Sequence, residues 1–168
     1  MLVCTEQRRP EVSLLLLATL LLASCILLYA LDRGGAVYFL PDWAAEPNRP
    51  DIFGTLGAHL PTFLHPFAFI LITAAVLRPW PRLLPAICVA WFVVECLFEL
   101  GQMSPFDSRI AAAMPSWFDS VPILQIAADY FTRGTYDSLD VLSIGLGTVI
   151  AYPIVRTLFE ETHDDQAA

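Results

Sequence analysis

Seven side chains pair acid, base or hydrogen-bonding chemistry with places inside or beside long apolar runs. They are His65, Glu95, Glu99, Gln102, Arg133, Asp137 and Asp140. An ionisable group within hydrocarbon is costly and usually faces a bundle interior or a wet cavity. Glu95, Glu99 and Gln102 follow an i, i+4, i+7 spacing. At about 100° per residue they fall within roughly 60° of arc, so a helix puts all three on one face. Gln102 then stands at the mouth, Glu99 one turn in and Glu95 two turns in. His65 lies between Pro61 and Pro66, and Arg133 precedes the Asp137–Asp140 pair. Carboxylates beside an imidazole can bind and pass protons. An Arg next to helix ends can hold an anionic group. Plainer roles stand beside these: helix capping for the two Asp, a water-interface marker for Gln102, and packing for His65.

Four apolar runs must position these groups. Residues 12–31 contain no charge and span about 30 Å as a helix, the thickness of a bilayer core. Further runs cover 60–77, 83–102 and 139–159. The reading is an all-α polytopic membrane protein, one integral domain over residues 1–168 with no span-length repeat. Arg8, Arg9, Arg78, Arg82 and Arg156 share one side, against Arg33, Arg49, Arg109 and Arg133 on the other. The positive-inside rule, carried mainly by the short Arg78–Arg82 turn, makes the first side cytoplasmic, with both termini there. Residues 32–59 and 103–138 are then outer loops, and 160–168 a cytoplasmic tail. Tyr38, Phe39 and Trp43 suit the headgroup level. Residues 105–131 are aromatic-rich and broken by Pro115 and Pro122, which predicts one or two helices lying in the outer interface.

Composition agrees with this reading. The chain is 57% hydrophobic and 15% charged, with a mean hydropathy of +0.61. Soluble domains carry about 25% charged residues. A formal net charge of −8 without a basic patch excludes nucleic acid as a partner. The four Cys lack paired spacing, so neither a structural disulfide nor a metal cluster is expected. Leu22-Ala23-Ser24-Cys25 is similar to a lipoprotein signal with a lipid-accepting Cys. The apolar run continues past Cys25 through Tyr29, which favours a retained helix. Gly145, Gly147, Thr148 and Ala151 are small residues that permit close helix approach.

The polar positions resemble those of the VanZ-like family of small integral membrane proteins. The matching residues are His65, Glu99-Leu-Gly-Gln102, Arg133, Asp137-Ser-Leu-Asp140 and Gly147, within residues 60–158. Ile144 stands where that family carries Asn, and the segment from Gln102 to Arg133 is longer, as in a divergent or sister relative. The resemblance implies a bacterial inner-membrane protein of the cell envelope; the family's named member is an accessory factor in glycopeptide-antibiotic resistance. The expected function is non-enzymatic: an outer-leaflet polar cavity of the seven residues that binds a lipid headgroup or lipid-linked envelope precursor. No cofactor and no catalytic residue is assigned. Two alternatives stay open. One is an intramembrane acid/base enzyme using Glu95 or Glu99 with His65; the other is a proton- or ion-coupled carrier, which four spans without a repeat permit only as a homo-oligomer.

Overall fold

The computed structural model describes residues 10–32, 52–121, 124–125 and 127–167, with residues 32 and 161–167 as backbone only. Six α-helices follow in order: α1 Pro10–Asp32, α2 Gly54–Val76, α3 Leu84–Gly101, α4 Phe106–Ala113, α5 Ala127–Arg133 and α6 Ser138–Ala167. Short 3-10 turns at Pro81–Leu83 and Ser116–Ser120 precede α3 and follow α4. The described chain contains no strand, and α1, α2, α3 and α6 are each long and apolar enough to cross a membrane. The fold is all-α and polytopic. Helices suit that solvent because every backbone group of a span must be satisfied within it.

Helix α2 is the axis of the bundle. Half of its most apolar window is buried, against 17% in α1 and 22% in α3 and α6. That enclosure explains how α2 carries Pro61 and Pro66 in its interior, both fully buried. Each proline removes an intrahelical N–H, and packed neighbours make the defect tolerable. Buried Leu14 and Ala18 of α1 meet Phe67, Ala68, Ile70 and Leu71 of α2 and Ala151 and Val155 of α6. Gly147 lets α6 come against the Phe63 backbone of α2; a Cβ there would collide with the Phe63 carbonyl. Outward, Leu16, Leu20, Val89, Leu97 and Val149 are exposed, as lipid-facing residues are.

The short turn after α2 is tied back to α1. Arg78 Nη1 lies 2.6 Å from Glu11 Oε2, in the first turn of α1. This places the start of α1, the end of α2 and the start of α3 at one end of the bundle. The end of α1 and the starts of α2 and α6 lie at the opposite end, with the end of α3, α4 and α5.

Two boundaries differ from the sequence expectation. Helix α2 begins at Gly54, six residues before the apolar run at Leu60, so residues 54–59 belong to a span element rather than to the first outer loop. Residues 54–59 are too mixed in polarity to extend the apolar run, yet they form the first turns of the same helix. Helix α6 continues through Ala167, so most of the segment read as a tail extends the last helix. Two helices, α4 and α5, do occupy the aromatic segment, with Pro115 and the 3-10 turn after the first of them. Tyr38, Phe39 and Trp43, expected at the headgroup level, lie outside the described residues, as do Cys4, Arg8, Arg9, Arg33 and Arg49.

Candidate polar site at one end of the bundle

The site is built around the first turn of α6. Asp137 caps this helix: its Oδ1 accepts the Leu139 N–H at 2.9 Å. The backbone N–H of Asp137 donates in turn to Glu99 Oε1 at 2.8 Å. Glu99 sits near the end of α3 and is 5% exposed, the one buried charged residue among those described. A carboxylate in that position needs donors, and the chain entering α6 supplies one.

Asp140 lies three residues further on and reaches across to α2. Its Oδ1 is 2.8 Å from His59 Nδ1 and 2.9 Å from the Thr62 hydroxyl. A carboxylate only accepts, so Nδ1 carries a proton towards it. His59 Nε2 faces Asp137 Oδ2 at 3.8 Å, beyond hydrogen-bond length but within ion-pair reach. The imidazole is thus flanked by both Asp of α6. Thr62 Oγ1 also lies 2.6 Å from the His59 carbonyl oxygen, so its single proton is divided between that carbonyl and Asp140. The His59 and Asp140 side chains are 17% and 13% exposed, whereas Asp137 is 45% exposed and stands at the mouth.

Helix α5 packs over the end of α3. Phe131 stacks on Phe98 with centroids 5.9 Å apart and lies against Gly101. Tyr130 meets the same Phe98 edge-on at 6.0 Å. The Gln102 side chain hydrogen-bonds Tyr130 and fits against Gly134, where any Cβ would strike it. Burial, with the nearby Glu99 charge, pushes the Tyr130 phenol up to about 12. It therefore stays neutral and keeps its proton to donate.

Of the seven residues singled out from sequence, Glu99, Gln102, Asp137 and Asp140 come together here. His65 does not join them. It lies six residues deeper than His59 and stacks between Tyr29 at 6.4 Å and Phe69 at 6.0 Å, in a set that continues to Trp91. Arg133 is exposed and pairs with Asp129 at 3.2 Å on its own helix, outside the cluster. Its place at the last turn of α5 favours a cation there, and the i, i+4 partner holds it outward. Glu95 is half-buried one turn below Glu99 and accepts no hydrogen bond among the described residues.

His59 and Thr62 were missed. The one signal for them is their i, i+3 spacing across the start of the apolar run, visible only once α2 is known to start at Gly54. The cluster holds three carboxylates and one imidazole, so it offers acceptors and negative charge. Among the described residues no group of three or more His, Cys, Asp or Glu is arranged to hold a metal ion. Cys25, the candidate lipid acceptor, is 2% exposed, with its thiol turned to the Pro61 carbonyl of α2. Comparison of the chain with protein-family models, with curated proteins and with solved structures finds no match in any of the three.

Proposed function

We propose that this chain is a non-enzymatic membrane protein of the bacterial envelope, a divergent or sister relative of the VanZ-like proteins. In this reading its polar end binds the headgroup of a lipid or lipid-linked envelope precursor. The chain sits in the inner membrane with both termini cytoplasmic, and the site opens to the outer leaflet. The observation that carries the reading is the set of bonds joining His59 and Asp140 across α2 and α6, with Glu99 of α3 bonded to Asp137. These groups lie where the spans end, at the depth of lipid headgroups. Their acidic balance directs recognition to amine and hydroxyl groups of the ligand. Arg133, first assigned to an anionic group, has no part in it, because its partner is Asp129.

The acid/base alternative has less support. His65 meets aromatic rings rather than Glu95 or Glu99, and the His59 Nε2 left over by the Nδ1–Asp140 bond faces the Asp137 carboxylate rather than a hydroxyl or thiol nucleophile. The test is lipid retention. The full chain, extracted in mild detergent, should carry polar lipid visible by native mass spectrometry. Asp140→Ala and Glu99→Ala should strip it from protein that is otherwise folded. Equal retention in wild type and both variants would sink the binding reading.

A further inference from the structure

We propose that residues 127–137 form a latched cap that closes the Glu99 carboxylate off from the aqueous phase at its end of the bundle. As a gate to a binding site the cap rests on the reading above; as a closure over Glu99 it stands on its own contacts. Three of these lie along the end of α3. Phe131 covers Gly101, where a Cβ would sit 2.6 Å from the ring, and stacks on Phe98. Gly134 rests against Gln102. The Asp137 N–H then closes on Glu99 Oε1 at 2.8 Å. Gly101 and Gly134 are thus the two positions whose missing side chains let the latch close.

The cap has two faces. Phe131 is buried towards the bundle, while Asp129, Thr132 and Arg133 are exposed on the other side. Residues 134–137 between α5 and α6 are not helical, so the cap joins the last span through a short irregular link. Nothing covalent holds it down besides the chain itself, and a unit held by aromatic contacts and hydrogen bonds such as Gln102–Tyr130 and Asp137–Glu99 can open locally. Lifting it would withdraw the Asp137 donor from Glu99 and shift Asp137 away from His59. Opening at Glu99 and loosening of the His59 cluster are therefore one movement.

The experiment uses the full chain in lipid nanodiscs, treated with a water-soluble carbodiimide and a small primary amine. Amide formation at each carboxyl is followed by peptide mass spectrometry. In wild type the exposed Asp129 should react at least ~10-fold faster than Glu99. Phe131→Ala and Gly134→Leu should each raise the Glu99 rate ~10-fold, the equivalent of about 1.4 kcal/mol of opening free energy. Glu95, one turn deeper, should stay unchanged. The proposal is overturned if wild-type Glu99 reacts as fast as Asp129, or if neither variant changes Glu99. It is overturned too if both variants raise Glu95 equally, because then the whole bundle has opened. Reactive Glu99 with unaltered lipid retention would keep the cap and remove the binding reading; lost lipid with unreactive Glu99 would do the reverse.

Discussion

Asp140 occupies the first turn of α6, where a carboxylate commonly serves the helix's own N–H groups. It turns instead to His59 and Thr62 on α2, while Asp137 does the capping. Two acids three residues apart thus have different work, although the sequence presents both as cap residues. Removing one partner of the Asp140 pair leaves the other buried and unsatisfied. Asp140→Ala or His59→Ala should each lower stability by about 1–2 kcal/mol. The double variant should lose less than the sum, read by thermal melts in detergent; strict additivity would mean that the pair contributes nothing. Tyr130 offers a pH test. Its folded-state value lies above the ordinary 10, at about 12, so its contribution to stability is complete below pH 10 and is lost as pH rises through about 12. The phenolate absorbance step missing from Tyr130→Phe should centre near pH 12, whereas a centre near 10 would mean an open phenol. Glu99, Gln102, Asp137 and Asp140 were legible because polar residues stand out against apolar runs. His59 was not, because the residues before it are too mixed in polarity to mark a helix.

At the scale of elements, the central place of α2 accounts for features that look contradictory in one dimension. Two prolines inside a span, a stacked histidine and a buried cysteine opposite all become ordinary once α2 is enclosed by α1 and α6. Close approach depends on Gly147, which faces the Phe63 carbonyl. Gly147→Leu should force α6 off α2 and lower stability by about 1–3 kcal/mol. It should also weaken the His59–Asp140 contact, whereas Gly145→Ala, with only a ring carbon at 3.7 Å, should be tolerated. Both are measurable by detergent melts, and equal tolerance of the two would remove this account of helix packing. Cys25 is sealed against α2, so a thiol reagent should leave it unmodified in the folded chain and reach it only after unfolding. Apart from the first six residues of α2, the long apolar helices were readable to within about two residues from apolar length. The start of α2 was hidden by the mixed polarity of residues 54–59, and the close contact at Gly147 was expected only as a property of small residues.

At the scale of the molecule, four crossings return the chain to the side from which it started. Arg78 and Arg82 mark one end, and the His59 cluster with α4 and α5 marks the other. An alkaline-phosphatase fusion within residues 103–138 should be active and one after the last helix inactive; the reverse pattern would invert the proposed orientation. By itself, the sequence determined the solvent, the number of long apolar helices and the end at which polar groups gather. Those properties depend on local composition and periodicity, which the transfer of each segment from water to hydrocarbon makes decisive. Only the tertiary structure decided which polar groups meet. His59 replaced His65, Arg133 turned away, and Glu99 found its donor on a segment 38 residues distant. Such pairings depend on how α2, α3 and α6 are rotated and how closely they approach, and packing between helices sets both.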